Sequence, residues 1–155
     1  MSVHLASRKI IKEWTDYNEH MNMAYYVLIF DEAWETILNK FRMGGLSAKE
    51  TKRSTMVVET RTTYNNEVKE NDEVEVVCTF FDHDKKRLHL KCEMYETKTK
   101  TLAATMESVS LYIDLEKRKV TEFEDEKIEI MDQFIEQNKS NFSSENLFFS
   151  SKLKK

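Results

Sequence analysis

The chain has no proline, and its only two glycines, Gly44 and Gly45, are adjacent. Turns therefore fall to Asn, Asp and Lys, which tolerate left-handed backbone less cheaply than glycine does. The expected places are the Asn pair at 65–66, the ENDE segment at 70–73 and the DHDKK segment at 82–86. Cysteine is also scarce. Cys78 and Cys92 stand singly in alternating apolar stretches, with no CxxC and no Cys/His pair at metal-ligand spacing, so buried free thiols are expected and no metal site is. Long apolar runs are missing too. The stretch at 24–30 falls far short of the ~20 residues that cross a bilayer, and the N-terminal segment lacks a signal-peptide core. A cytoplasmic protein without a membrane partner is the expectation. Nor is there an excess of basic charge: 24 basic against 28 acidic side chains give a net charge of −4, which argues against a nucleic-acid partner.

What is present fits one globular domain. With 155 residues, 40% of them hydrophobic, the chain can bury about 70% of its unfolded surface without a disulfide or metal staple. The expected domain spans 1–138, followed by a Ser/Asn/Lys-rich, loosely held tail at 139–155. The apolar cluster Leu147-Phe148-Phe149 in that tail is a candidate for docking on a partner subunit.

Periodicity orders the elements. A weakly alternating stretch at 7–14 suggests a short strand. From Asn22, a plausible N-cap, the sequence is apolar around most of its circumference and then narrows to Ala33, Ile37, Leu38 and Phe41, which predicts a helix buried on most sides. Gly44-Gly45 is the expected terminator. Four segments then alternate with period two. At 55–68, Val58, Thr60, Thr62 and Tyr64 should share one face; at 73–81, Val74, Val76, Cys78 and Phe80; at 87–95, Leu88, Leu90, Cys92 and Met94; and 102–114 alternates throughout. The segment 121–138 reads as an amphipathic helix covering an edge or face of the sheet. One buried helix followed by an antiparallel meander implies an α+β fold in which the sheet wraps around the helix, since otherwise neither apolar surface finds a partner.

Chemistry concentrates just before the long helix, where Trp14, Asp16, Tyr17, Glu19, His20 and Asn22 fall within one short polar segment. Unpaired amides and the positive dipole end at a helix N-terminus can stabilise a developing oxyanion. The run from Asp16 to Tyr26, D-x-x-E-H-M-N-x-A-x-Y, followed by Phe30-Asp31-Glu32-Ala33, resembles the signature D-x-x-G-H-(V/M)-N-N-x-x-Y of hotdog-fold acyl-CoA thioesterases of the 4-hydroxybenzoyl-CoA thioesterase type. The variant W-x-D-Y-N-G-H-M-N, found in betainyl-CoA thioesterases and in the thioesterase domain of L-carnitine dehydrogenase fusions, is closer still. Further likeness lies in ETRTTY at 59–64 and DHDKKRLHL at 82–90, and the whole resemblance covers roughly residues 8–120.

The resemblance implies a hotdog fold, a homodimer or dimer of dimers, and hydrolysis of a small-molecule acyl-CoA to a carboxylate and free coenzyme A. No cofactor is implied, because coenzyme A is part of the substrate. Asp16 takes the place of the catalytic carboxylate, as nucleophile or as general base. His20 and Asn22 either orient the reacting groups or serve the loop and the helix cap. Backbone amides of Asn22, Met23 and Ala24 are the implied oxyanion hole. Trp14, Tyr17 and Tyr25, with Glu19, are candidates for the acyl site, as a cation–π cage for a trimethylammonium group or simply as core aromatics. Lys85, Lys86 and Arg87 are candidates for the coenzyme A phosphates, with plain solvation as the alternative. Glu19 stands where the family has glycine: the loop keeps its shape with Glu19 outward, or Glu19 narrows the pocket, or its charge selects a cationic acyl group.

Betainyl-CoA in carnitine breakdown is the implied substrate. The alternatives are another short aliphatic or aromatic acyl-CoA, or a non-catalytic acyl-CoA-binding module. A hydratase of the same fold is disfavoured, since the sites of that type occur in a glycine- and proline-containing context. The strand at 55–68 is the expected free edge for pairing with a second subunit.

Overall fold

The computed structural model describes residues 3–155; Met1 and Ser2, the first two residues of the expected domain, lie outside them. Its elements are β1 (Val3–Lys9), α1 (Met23–Lys40), α2 (Gly45–Thr51), β2 (Arg53–Tyr64), β3 (Glu73–His83), β4 (Arg87–Glu96), β5 (Leu102–Asp114), β6 (Lys119–Val120) and α3 (Asp125–Asn138). The sheet runs β1-β3-β4-β5-β2 with every neighbour antiparallel, and β6 adds to the end of β5. This is the expected α+β arrangement, a sheet curled around one long helix. The α1 side chains Tyr26, Ile29, Phe30, Ala33, Ile37 and Leu38 are buried against it.

Local signals placed most elements, and the exceptions have physical causes. The first strand is Val3–Lys9 rather than 7–14, because Ile10 leaves the ladder to bond Asp72 and residues Lys12–Trp14 form a single 3-10 turn. The helix at the C-terminal end begins only at Asp125. The preceding residues stay extended, with Thr121 N–H on Tyr112 C=O and Phe123 N–H on Lys85 C=O, which seats the Phe123 ring 4.6 Å from that of Tyr112. From there α3 closes one end of the core, its Phe134 ring 5.2 Å from Phe41 and 5.7 Å from Phe81.

The glycine pair does not terminate α1. That helix stops at Lys40, the chain reverses through Arg42 at φ 58°, and Gly44 caps the unforeseen α2. A Cβ at Gly44 would collide with Asn39 Oδ1, and Gly45 N–H bonds Glu35 Oε1 at 2.7 Å, so close approach is what glycine provides here. Neither glycine has positive φ. Left-handed backbone is instead taken by Glu19, Arg42, Lys52, Asn71, Lys100, Arg118 and Asn146.

Two bulges shift the expected faces. The register breaks between Val57 and Glu59, so Val57 rather than Val58 lies with Thr60 and Thr62 on the α1 side. A second break between Cys78 and Phe80 turns Phe81, not Phe80, into the core. Cys78 and Cys92 sit directly opposite each other as buried free thiols, and burial pushes the Cys78 thiol up to about 12. The helix α1 is not buried on most sides in the single chain: Met23, Val27 and Leu28 are exposed, as are Met56, Val57 and Val58 on β2, which forms one edge of the sheet.

The tail at 139–155 is docked on its own chain rather than loosely held. Ser143 N–H bonds Thr79 C=O, Phe149 is buried, and Phe148 lies under the Arg61 guanidinium at 3.7 Å. Its anchor is Glu107, 2% exposed, whose carboxylate accepts from the amides of Phe148 and Phe149 and lies 2.7 Å from His89 Nε2. Glu107→Ala would leave these buried donors without an acceptor. Urea unfolding should show a loss of about 3 kcal/mol, and limited proteolysis should release the tail first.

Candidate active site

The site is built on the loop that joins β1 to α1. Thr15 and Met21 form an isolated antiparallel bridge, and Met21 N–H is pinned to Val68 C=O at 2.8 Å. Between them Glu19 N–H returns to Asp16 C=O at 2.9 Å, and Asn18 N–H donates to Asp16 Oδ1 at 2.8 Å. Glu19 follows at φ 63°. A tight turn closed by a left-handed residue is the place where glycine is sterically free. Here a glutamate occupies it, and its side chain is exposed.

Asn22 joins the loop to the helix. Its Oδ1 accepts from Ala24 N–H at 3.0 Å and caps α1, while its Nδ2 donates to Asp16 Oδ2 at 2.8 Å. Both Asp16 oxygens are thus engaged. The Asn22 bond foremost, then the Asn18 amide, holds the carboxyl below the usual carboxylate range, against a smaller opposing effect of burial. Asp16 is therefore ionised at neutral pH, beside the positive end of a helix.

Of the three amides expected to form an oxyanion hole, two are occupied. Asn22 N–H bonds Trp14 C=O at 2.9 Å, and Ala24 N–H bonds the Asn22 side chain. Met23 N–H has no partner among the described residues and is the one free donor of the three. His20 turns the other way. Its Nδ1 lies 3.2 Å from Met21 C=O and its Nε2 3.8 Å from Glu67 Oε2, so the ring bonds the adjacent Met21 carbonyl and faces Glu67 rather than bonding Asp16.

The aromatic candidates are not brought together as a cage. Trp14 and Tyr25 stack on each other at 5.9 Å and 18°, each covering the other's face, while Tyr17 at the turn is 94% exposed. Lys85, Lys86 and Arg87 are also apart from Asp16. They occupy the β3–β4 turn, at the opposite end of β3 from the loop, up to roughly 30 Å away along the strand. Arg87 is there held by Asp84 at 3.0 Å.

One feature escaped the sequence reading. Between α1 and the concave sheet surface lies a cleft of about 230 Å³, lined by Val27, Phe30, Asp31 and Trp34 from the helix and by residues of β2, β4 and β5, among them Val57, Thr60 and Ser108. The helical positions follow the i, i+3, i+4, i+7 spacing of a single face, so one carboxylate within an apolar face was the available signal. A second hollow, lined by His20, Met23, Tyr26 and Tyr64, flanks the start of the same helix. No helix among the described residues is long and apolar enough to cross a membrane.

Comparison with known proteins agrees with this architecture. The profile of the thioesterase-like superfamily matches residues 11–134. A betainyl-CoA thioesterase of Pseudomonas aeruginosa is 29% identical over 117 residues, 76% of this chain and 74% of that protein. An L-carnitine dehydrogenase/betainyl-CoA thioesterase of a Rhizobium species is 25% identical over 72% of this chain, which corresponds to only 22% of that larger protein. Among solved structures, a Staphylococcus aureus protein in complex with CoA superposes with a TM-score of 0.80 at 22% identity, over 100% of this chain and 96% of its own.

The strain at Glu19 is measurable. A left-handed residue with a Cβ costs roughly 1–2 kcal/mol relative to its ordinary conformation, part of which glycine returns as unfolded-state entropy. Glu19→Gly should therefore raise unfolding stability by about 0.5–1 kcal/mol, whereas Glu19→Gln, which keeps the Cβ, should leave it unchanged in the same denaturation assay.

Proposed function

Because this chain belongs to the thioesterase-like superfamily, we propose that it is an acyl-CoA thioester hydrolase with betainyl-CoA as its substrate, working as a homodimer. The observation that carries the hydrolase reading is the Asp16 carboxylate, kept ionised by Asn22 and Asn18 beside the open Met23 amide at the N-terminus of α1. The likeness to a betainyl-CoA thioesterase supports the choice of acyl group.

A carboxylate held below its ordinary pKa is a poor proton acceptor near neutrality, since a general base works best with a pKa close to the working pH. It remains a competent nucleophile once positioned. In the proposed sequence an Asp16 oxygen attacks the thioester carbonyl carbon and the Met23 N–H stabilises the oxyanion. The C–S bond then breaks, and coenzyme A leaves as thiolate and takes up a proton. Water hydrolyses the resulting mixed anhydride, which releases the carboxylic acid and restores Asp16. The reaction draws on water alone besides the substrate. Asn22 acts as a positioning residue, because it holds both the nucleophile and the first turn that presents the amide.

The homodimer proposal rests on β2. This strand is a sheet edge whose Met56, Val57 and Val58 are consecutively exposed, with the exposed Val27 of α1 lining the same cleft as Val57. A long apolar edge is an unfavourable surface in a monomer, and a second copy aligned along it would cover it and enclose the cleft below.

Thiol release from betainyl-CoA tests the reading. Asp16→Asn should lower kcat by about 10³-fold or more with little change in folding, since the amide can keep its bond from the Asn18 N–H. In the wild type, kcat/KM should persist as pH falls and be lost only below the ordinary aspartate value of about 3.9, because the depressed pKa keeps Asp16 ionised until then. Unchanged thiol release in Asp16→Asn would contradict the assignment.

A further inference from the structure

The helix α1 carries three acids, and two of them are occupied. Glu32 pairs with Arg8, and Glu35 accepts from Gly45 N–H at 2.7 Å. The third, Asp31, makes no hydrogen bond or ion pair among the described residues. It is also the one charged side chain in the lining of the cleft between α1 and the sheet, where it stands beside Phe30 and Trp34.

That combination has a chemical meaning. A free carboxylate attracts a cation, an indole in the same lining can add cation–π attraction, and the surrounding Val27, Val57 and Leu90 suit methyl groups. A primary ammonium or guanidinium would need three or more acceptors to replace its water, and the lining side chains besides Asp31 supply two hydroxyls, Thr60 and Ser108, and the weakly accepting sulfurs of Cys92 and Met106. A quaternary ammonium has no N–H to satisfy. The volume of about 230 Å³, roughly that of eight waters, suits a short branched group rather than a long chain.

The spacing also bears on which cation fits. Asp31 lies nine residues beyond Asn22, about 13 Å along the axis at 1.5 Å per residue, and its side chain leans back toward the helix N-terminus. A near-attack distance of about 3–3.5 Å at Asp16 and an ion-pair separation of about 4–6 Å at Asp31 leave only a few ångströms between carbonyl carbon and cation.

We propose that Asp31, seconded by Trp34, is the specificity-determining residue that admits an acyl group bearing a quaternary ammonium close to its carbonyl. This rests on the reading of Asp16 as the thioesterase carboxylate and adds to it the residue that selects the acyl group.

The test compares betainyl-CoA with its neutral isostere, 3,3-dimethylbutyryl-CoA, in which carbon replaces the charged nitrogen. Wild-type protein and Asp31→Asn are assayed for thiol release. Since Asp31 has no partner to lose, the variant should keep the wild-type Tm. The expected result is a kcat/KM for betainyl-CoA lowered about tenfold in Asp31→Asn, carried mainly by KM, with the neutral thioester unchanged within about twofold. Equal losses on both thioesters, or no change on either, would overturn the selector. A wild-type protein that hydrolyses the neutral thioester but not betainyl-CoA would overturn it while leaving the hydrolase reading intact. Hydrolysis of no acyl-CoA by the wild type would remove the hydrolase reading and the selector together.

Discussion

One side chain, Asn22, holds the geometry on which the rest depends. Its oxygen caps the first turn of α1 and its nitrogen holds the Asp16 carboxylate, so the start of the core helix and the proposed nucleophile are set by the two ends of a single amide. No other common capping residue does both. Aspartate would cap equally well but would place a second negative charge against Asp16, and serine is too short to reach it. Asn22 is also bonded through its own N–H to Trp14 C=O, and Met21 N–H to Val68 C=O, so the loop is tied to itself and to the connection between β2 and β3.

The near absence of glycine takes on a specific meaning in this frame. Among the described residues seven with a Cβ adopt left-handed backbone, and neither glycine does. Asn71 falls in one of the turns expected from sequence, and the 82–86 turn is organised by Asp84, whose Oδ1 accepts from the amides of Lys86 and Arg87. Arg42, Arg118 and Glu19 could not be anticipated from composition, because their long side chains lack the short Asn/Asp-type bond to the local backbone that favours this conformation. At Glu19 the consequence reaches the site. The Glu19 backbone takes a left-handed conformation that a glycine would adopt freely, and its side chain is exposed.

Features encoded by neighbours in sequence were legible from sequence. The Asn22 cap, the helix that follows and the strand 102–114 needed only local periodicity, and the Asp16 motif needed only local spacing. Features decided between distant segments were not. The bulges at Val57 and Cys78 depend on how two strands register, and they moved Val57 and Phe81 onto the face assigned to their neighbours. The tail looked weakly held because its composition is polar, yet its anchor is Glu107, about forty residues earlier in the chain. Trp14, Tyr17 and Tyr25 looked like a cluster because they are close in sequence, but the fold stacks two of them together and leaves the third in solvent. The cleft lined by Asp31 and Trp34 was visible in principle as a helical face, but its walls come from three strands that only the folded sheet assembles.

The proposed hydrolysis requires the thioester carbonyl to meet Asp16 at the N-terminus of α1. The most direct measurement is a structure of the protein bound to a non-hydrolysable thioether analogue of betainyl-CoA. The predicted result places the carbon equivalent to the carbonyl within about 3.5 Å of an Asp16 oxygen, with the Met23 amide facing the position of the developing oxyanion. An analogue bound in a single ordered pose with that carbon remote from Asp16 would contradict it.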